Sequence, residues 1–158
     1  MTVSPPWLGK TFGFGSSLGA HLNEGTLVEL PDGSVLANIR PDSSAVSPTG
    51  ARVTAASTDG GATFSTPRPD PALINGHCQA TMLRASGNRI LFANPATAAG
   101  RCNGTLRISA DGAKSWTEEI ALGRTAEEAF AYSCLTHIPG SGSSGSDGPA
   151  LLGAFRLP

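Results

Sequence analysis

The chain has 158 residues, long enough for a domain with a hydrophobic core. Charged residues make up only 15% and the net charge is −1, which excludes the basic footprint of a nucleic-acid or anionic-membrane binder. No run of about 18 apolar residues is present, so no segment is predicted to cross a bilayer. The 20 Gly and 12 Pro residues, with 6% aromatics and no long helical periodicity, predict an all-β fold.

Residues 1–22 are rich in Gly, Ser and Pro and are predicted to be irregular. They lack the charged-then-apolar layout of a signal peptide, so either the protein is cytosolic or its true N-terminus is missing. The compartment is left undetermined. From Gly25 onward, short apolar runs between turn-forming clusters predict antiparallel strands. These runs lie at 26–30, 34–40, 51–57, 79–84, 89–93, 104–109, 118–122 and 131–138.

The first predicted hairpin has the sequence NEGTLVELPDGSVLANIR, residues 23–40. Its Pro-Asp-Gly centre suits a three-residue loop, because proline presets the first turn position and glycine takes the left-handed third. In the absence of a bulge, the register set by that loop places Glu24 opposite Arg40 on one face. On local grounds this is a cross-strand ion pair contributing ~0.2–1 kcal/mol. The other face is also partly apolar, which predicts a strand pair buried on both sides, with Leu27, Ala37 and Ile39 on that face.

One motif occurs twice, first as STDGGATF from Ser57 and again as SADGAKSW from Ser109. In each copy the Asp is predicted to accept backbone N–H bonds within a tight turn, the glycines supply positive φ, and the aromatic packs beneath the loop. The spacing of the copies is close to the ~40–50-residue period of propeller blades. The residues assigned to these two boxes are Ser57, Asp59, Gly61, Thr63 and Phe64, and Ser109, Asp111, Gly112 and Trp116.

Other chemistry-bearing residues show no site pattern. The cysteines Cys78, Cys102 and Cys134 are widely spaced and odd in number, so they are predicted to be buried free thiols. The three histidines are isolated and no pair has metal-ligand spacing, so neither a metal nor a cofactor is predicted. Arg52 and Arg107 lie in strands that lead into the boxes and are interpreted as structural or solvent-facing.

The sequence after residue 138 changes character. PGSGSSGSDGP, residues 139–149, is a low-complexity loop or linker, and LLGAFRLP is one further strand that stops abruptly. The predicted organisation is therefore an irregular segment at 1–22, blades at 23–138 and a loop with a truncated or divergent strand at 139–158.

The order of NE, ELPDGSVLANIR, the first box STDGGATF, FANP followed by Arg101, and AYSCL around Tyr132 resembles the C-terminal half of a sialidase of the bacterial and lysosomal type. The resemblance covers roughly residues 20–138. It implies about three four-stranded blades of a six-bladed β-propeller, with Asp-box repeats on turns away from the catalytic face. It also implies removal of terminal sialic acid from glycoproteins, glycolipids or oligosaccharides with retention of configuration.

The same resemblance implies roles for four residues. Arg40 and Arg101 match the second and third of three arginines that clamp the substrate carboxylate, for which planar guanidinium forks are suited. Tyr132, the sole tyrosine, matches the nucleophile, and sialidases with a tyrosine nucleophile are a recognised exception among glycosidases. Glu24 matches the base that activates it, since a phenol with a pKa near ~10 needs one at neutral pH.

Two parts of the family site have no counterpart in this sequence, namely the first arginine and the acid/base aspartate of the N-terminal blades. We therefore expect a fragment of a larger sialidase with little or no activity alone, whose partners would be sialylated glycans and the missing half of the propeller. An alternative is a non-enzymatic Asp-box module that binds glycans or proteins, and a third is a degenerate product that is only structural. A sialidase requires the four residues to converge on the side of the blades opposite the boxes.

Overall fold

In a computed structural model, the residues whose structure is described are 14–42, 44–85, 88–123, 125, 127–137 and 150–154. They form ten β-strands. None of them belongs to a helix long and apolar enough to cross a membrane. The strands are β1 Leu22–Glu29, β2 Val35–Pro41, β3 Ala51–Ser57, β4 Arg68–Ile74, β5 Thr81–Arg84, β6 Ile90–Pro95, β7 Gly104–Ser109, β8 Glu118–Ala121, β9 Ser133–His137 and β10 Ala150–Ala154.

The strands form two four-stranded antiparallel sheets and one pair. The first sheet has the order β1-β2-β3-β4, the second β5-β6-β7-β8, and β9 pairs with β10. Each strand lies beside its neighbour in sequence, as in the blades of a propeller. The prediction of an all-β fold made of four-stranded antiparallel blades is therefore confirmed. The described part contains two complete blades and two strands of a third.

Strand β4 was not predicted, and its sequence explains why. RPDPALI contains Pro69 and Pro71, and proline inside an apolar run argues against a strand because it cannot donate to the ladder. In the fold β4 is an edge strand that pairs only with β3, where a missing N–H costs little. A bulge between Ala51 and Arg52 adjusts the pairing of the two strands.

The register predicted for the first hairpin is confirmed over most of its length. Thr26 pairs with Asn38 and Val28 with Leu36, as the three-residue loop requires. A bulge follows between Leu22 and Gly25, beyond which the register shifts by one residue. The bulge therefore lies at the position of Glu24.

Two hydrophobic clusters hold the sheets together. The first lies between the two blades and combines Val28, Leu73, Met82, Ile90 and Phe92. The second joins the other face of the second blade to β9 and combines Leu91, Ala93, Ile108 and Leu135. Because Val28 and Phe92 come from different sheets, the first cluster fixes the position of one blade against the other.

The prediction that both faces of the first hairpin are buried is wrong at Leu27. Ala37 and Ile39 are buried, at 1% and 3% exposure, but Leu27 on the same face is 61% exposed. Alternation within a strand gives the face on which a side chain lies, whereas its burial depends on what packs against that face. On this face of the sheet, the residues of the central strand β2 are covered, whereas Leu27 of the edge strand β1 is not.

The predicted domain boundaries remain predictions. Residues 14–19 have no regular structure and β1 starts at Leu22. Three predicted segments lie outside the described residues: residues 1–13, the predicted low-complexity loop at 139–149, and residues 155–158 of the predicted last strand. Within 150–154, β10 pairs with β9 from Ala150 opposite His137 to Ala154 opposite Ser133.

Candidate functional site

Each complete blade has two edges that differ in what they carry. In the first blade, β2 ends and β3 begins at one edge. In the second blade, β6 ends and β7 begins at the corresponding edge, and we call this the site edge. Strands β3 and β7 end at the opposite edge, where the boxes begin, and we call this the box edge. The two site edges meet, because Asn75 donates from its Nδ2 to the Pro41 carbonyl and Asn94 donates to the Ile74 carbonyl.

Glu24 and Arg40 form an ion pair at the site edge. Arg40 Nη1 lies 2.9 Å from Glu24 Oε2, and the side chains are 19% and 27% exposed for Arg40 and Glu24. Arg40 ends β2 and Glu24 lies in the bulged part of β1. The bulge does not separate them, since Arg40 Nη1 donates directly to Glu24 Oε2. The pair is thus partly desolvated, which strengthens it relative to a pair on an open surface.

Arg101 and Tyr132 form the second pair at the site edge. The Arg101 guanidinium carbon lies 5.3 Å from the centre of the Tyr132 ring, within cation–π distance. The Arg101 side chain is exposed, and its Nη2 donates to the His77 carbonyl at 3.4 Å. The backbone of Arg101 is held by the N–H of Phe130, which donates to its carbonyl at 2.9 Å. Tyr132 immediately precedes β9.

The loop of residues 75–80, which joins the blades, contacts the Arg101–Tyr132 pair, and its Asn75 donates to the carbonyl of Pro41, the residue next to Arg40. Its His77 carbonyl accepts from Arg101, and its Gln79 Oε1 accepts the Ser133 N–H, next to Tyr132, at 3.1 Å. In the same loop, burial raises the pKa of the Cys78 thiol, and the charge of Arg101 opposes that shift. The structure therefore brings the four candidate residues to one edge, opposite the boxes.

Arg52 belongs to the same cluster, although its sequence position gave no signal of this. It is fully buried, donates from Nε to Asn38 Oδ1 at 2.7 Å, and donates from Nη1 to the Cys78 carbonyl at 2.8 Å. Burial lowers its pKa to about 10, and the nearby Glu24 and Arg40 charges act in opposite directions. The guanidinium stays charged at neutral pH. Interpreting Arg52 as solvent-facing is wrong; Arg107 is also buried, at 7% exposure.

The first box folds into a turn closed by its own side chains. Ser57 Oγ donates to Asp59 Oδ1 at 2.7 Å and accepts the Gly61 N–H at 2.9 Å. Asp59 accepts both the N–H and the hydroxyl of Thr63, at 2.9 and 2.6 Å. The Thr63 hydroxyl is the main cause that lowers the Asp59 pKa to about 2. Phe64 is half-buried beside this turn.

The second box repeats these contacts. Ser109 Oγ donates to Asp111 Oδ1 at 2.8 Å and accepts the Ala113 N–H at 2.8 Å, and Asp111 accepts from Ser115. The Ser115 hydroxyl holds the Asp111 pKa well below its usual range. Trp116 is half-buried, and its ring lies 5.6 Å from that of Phe92 in the core between the blades. The box turns are therefore satisfied internally.

The cysteines are free thiols with different environments. Cys78 is buried and Cys102 half-buried, but Cys134 is exposed, so the prediction of buried thiols is wrong for Cys134. It lies on β9, where the next residue, Leu135, is buried in the core; successive side chains of a strand point to opposite faces. Across the described part of the chain, no three His, Cys, Asp or Glu side chains cluster closely enough to hold a metal ion.

Comparison with known proteins identifies relatives of this arrangement, although no protein-family profile matches the chain. Over 140 residues, 83% of its length, the chain is 32% identical to a sialidase of Micromonospora viridifaciens and covers 21% of it. It is 28% identical over 138 residues to a sialidase of Bacteroides fragilis, covering 82% of this chain and 24% of that protein. It thus spans about a fifth to a quarter of these curated relatives.

Solved structures agree. The intramolecular trans-sialidase of Ruminococcus gnavus, bound to oseltamivir carboxylate, matches with a TM-score of 0.55 and 26% identity over 73% of this chain and 26% of that one. The NanB sialidase of Streptococcus pneumoniae, as its K499G mutant, matches with a TM-score of 0.63 over 73% of this chain and 18% of that one; at 21% identity it supports the fold alone. The chain is related to the sialidases over part of their length and has their propeller-type fold.

Proposed function

We propose that the chain supplies part of the active site of an exo-α-sialidase, with Tyr132 as nucleophile, Glu24 as its general base, and Arg40 and Arg101 as ligands of the substrate carboxylate. The reaction releases terminal sialic acid from glycoconjugates with retention of configuration. The observation that supports it is convergence: the Glu24–Arg40 and Arg101–Tyr132 pairs lie at one edge, opposite the boxes. The loop 75–80 is bonded to Arg101, to Ser133 beside Tyr132 and to Pro41 beside Arg40. A structural or glycan-binding module needs no such convergence.

The two arginines offer complementary sites for an anion. Arg101 is exposed, and the one hydrogen bond of its side chain to a described residue, the His77 carbonyl, is long at 3.4 Å, so its fork is available to a carboxylate. Arg40 is fixed by Glu24 through Nη1, while its buried Nε has no partner among the described residues. A donor that is buried without a partner is costly, and a bound acceptor would remove that cost.

The nucleophile is a phenol for an electrostatic reason. The substrate carries its carboxylate on the anomeric carbon, so an anionic carboxylate nucleophile would be repelled, whereas a neutral phenol can approach and lose its proton during attack. Glu24 would receive that proton. Arg101 would hold the substrate carboxylate beside Tyr132, since its guanidinium already lies over the Tyr132 ring.

The acid/base aspartate and the first arginine of the family site are proposed to come from outside the matched region. Without a general acid the glycosidic oxygen leaves as an alkoxide, and general acid catalysis typically contributes ~10²–10⁴-fold. We therefore expect the chain to bind sialic acid weakly and to turn over sialosides little or not at all.

Binding tests the proposal through matched ligands. Sialic acid, its methyl ester and a neutral hexose would be titrated into the chain and followed by NMR. The free acid is expected to bind in about the millimolar range and the ester at least tenfold more weakly, since only the acid can accept from both guanidinium groups. Equal binding of acid and ester, or no binding of either, would overturn the proposal.

Turnover tests the expected lack of a general acid. With a sialoside whose leaving group is a sugar hydroxyl, which must be protonated as it departs, the chain is expected to give no rate above that of the Tyr132→Phe variant. Turnover that disappears in Tyr132→Phe would confirm the nucleophile but show that the chain itself supplies an acid.

A further inference from the structure

Arg52 is a buried charge without an anionic partner in contact. Its side chain is among the largest that are fully buried, and both of its hydrogen bonds go to neutral oxygens, those of Asn38 and Cys78. No carboxylate of a described residue lies within 4.0 Å of it; the four ion pairs in that part of the chain involve other residues. A buried charge with neutral partners is expensive. An apolar side chain of similar volume would fill the same space, so packing does not explain why residue 52 is an arginine.

The two hydrogen bonds of Arg52 join two separate elements of the candidate site. Asn38 lies on β2, two residues before Arg40 and on the same face of the strand. Cys78 lies in the loop 75–80, whose neighbouring residues contact Arg101 and the Ser133 N–H beside Tyr132. Arg52 therefore connects the strand that carries Arg40 to the loop that supports the other pair, alongside the bond from Asn75 to the Pro41 carbonyl.

The geometry of the guanidinium suits this connection. Nε donates at 2.7 Å and Nη1 at 2.8 Å, to acceptors that are 40 residues apart in sequence, and the plane of the fork fixes the angle between them. Its third nitrogen, Nη2, is buried with no partner among the described residues, as are Asn38 Nδ2 and Arg40 Nε. Asn75 Oδ1 and Ser133 Oγ are also buried without partners there. The three unpaired donors favour an anionic group bound next to Arg40.

We propose that Arg52 is a positioning residue of the sialidase site, holding Arg40 and Glu24 at a fixed distance from the loop that supports Arg101 and Tyr132. The inference rests on the proposed function and goes beyond it, because Arg52 is buried and does not touch substrate. Removing its fork frees the Cys78 carbonyl and the Asn38 amide, so the two arginines of the clamp no longer keep their mutual distance. A bidentate or two-point clamp loses affinity steeply when its members shift.

The second blade offers a matched control. Arg107 is also a buried strand arginine that reaches an asparagine on the preceding strand, with Nη1 3.5 Å from Asn94 Oδ1. Its other contact is an ion pair with Glu119 on the edge strand β8, at 3.3 Å. No contact described for it involves the loop 75–80. Arg107→Met therefore removes a comparable side chain without the connection.

The first experiment compares sialic acid binding by NMR titration in the wild-type chain, Arg52→Met, Arg52→Lys and Arg107→Met, each shown to be folded by circular dichroism. Arg52→Met is expected to weaken binding by at least about tenfold. Arg52→Lys, which keeps the charge and one donor, is expected to bind about threefold more weakly than wild type. Arg107→Met is expected to bind as wild type does.

The outcomes separate the two claims. No binding by the wild-type chain overturns the proposed function and this inference with it. Wild-type affinity in Arg52→Met, or an equal loss in Arg107→Met, overturns only the role of Arg52. If Arg52→Met fails to fold, Arg52→Lys decides, and wild-type affinity in that variant would overturn the proposal.

A second measurement needs no ligand. In a Cys102→Ser/Cys134→Ser background, the rate at which Cys78 reacts with an aromatic disulfide reagent reports on the loop 75–80, since Cys78 is only 1% exposed. The thiol attacks the reagent disulfide, forms a mixed disulfide and releases one aromatic thiolate. Arg52→Met and Arg52→Lys are expected to react at least several-fold faster and Arg107→Met at the wild-type rate. Unchanged rates in both Arg52 variants would show that Arg52 does not hold the loop.

Discussion

The box edge and the site edge of the same blades are built from different kinds of contact. At the box edge, the hydrogen bonds of Asp59 and Asp111 join residues two to four positions apart. At the site edge, the bonds of Arg40, Arg52 and Ser133 span 16, 26 and 54 positions. The first edge is therefore determined by short sequence motifs, whereas the second exists only once the blades have packed together.

The two edges also differ in how completely their polar atoms are satisfied. The box carboxylates accept several hydrogen bonds within their own turns, so little is left for a ligand. At the site edge, buried donors on Asn38, Arg40 and Arg52 lack partners among the described residues. Native proteins rarely leave such groups unpaired, and they do so mainly where water, an ion or a ligand completes the site. The contrast supports a structural role for the box edge and agrees with the proposal that the site edge binds substrate.

The largest expected effect on stability comes from breaking the ion pair at the site edge. Glu24→Ala leaves Arg40 and Arg52 without their nearest anion in a partly buried position, which is expected to cost about 2 kcal/mol of unfolding free energy. The control is Glu29→Ala, because Glu29 is 70% exposed and lies 4.0 Å from Arg84. That variant is expected to cost less than about 0.5 kcal/mol in urea denaturation. Equal costs would contradict the distinction between a site pair and a surface pair.

A slightly smaller effect is expected from crowding the loop 75–80. A Cβ on Gly76 would lie 2.7 Å from the Pro95 carbonyl oxygen, so Gly76→Ala must move backbone and is expected to cost about 1–2 kcal/mol. Gly25→Ala, whose Cβ would meet Ile39 at an ordinary 3.6 Å, is expected to stay within about 0.5 kcal/mol of wild type. Urea denaturation of both variants checks this. If Gly76→Ala is neutral, the loop is not tightly held between the blades.

One of the differences between the two boxes, Gly61 against Ala113, allows a stabilising change. Gly61 has a φ of 93°, whereas Ala113 at the equivalent place of the second box has a φ of 64°. An L-residue with a Cβ is strained there, so Ala113→Gly is expected to stabilise the chain by about 0.5 kcal/mol and Gly61→Ala to destabilise it by about 1 kcal/mol. Thermal unfolding of the two variants measures the change in stability of each, and the two changes are expected to have opposite signs. The same sign for both would mean that the turns are not equivalent.

The smallest effect is the pH dependence of the box edge. The Asp59 pKa lies near 2 in the folded state against an ordinary value of 3.8, and the Asp111 pKa is lowered in the same direction. Because the folded-state pKa values are lowered, these carboxylates stabilise the fold above about pH 4, and that contribution is lost as the pH falls towards 2. Urea midpoints measured between pH 6 and about pH 2.5 should decline less in Asp59→Asn and Asp111→Asn. Parallel declines in all three proteins would contradict the assignment.

The features that sequence reasoning could predict are those with local causes. The Pro-Asp-Gly loop determined the register that pairs Thr26 with Asn38, and short apolar runs located most strands. Strand β4 was missed because its prolines are tolerated only at an edge, and edge position is a property of the whole sheet. The exposure of Leu27 was missed for the same reason, since no neighbouring sheet covers it among the described residues.

The candidate site shows a similar limit. A resemblance to sialidases singled out Glu24, Arg40, Arg101 and Tyr132, but composition and spacing alone would have left Glu24 and Arg40 as an ordinary ion pair. Arg52 was out of reach, because its importance lies in contacts with Asn38 and Cys78 that depend on the packing of a strand against a distant loop. Long-range contacts of this kind carry no local sequence signal.

The central claim is that the site edge, and not the box edge, receives the carboxylate of a sialic acid. Residue-resolved NMR shifts on titration with sialic acid test it most directly in the wild-type chain. We predict that the largest shifts fall at Arg40, Arg101, Tyr132 and residues 75–80, and that they vanish in Arg40→Gln. Shifts centred on the boxes at 57–64 and 109–116, or no shifts at all, would contradict it.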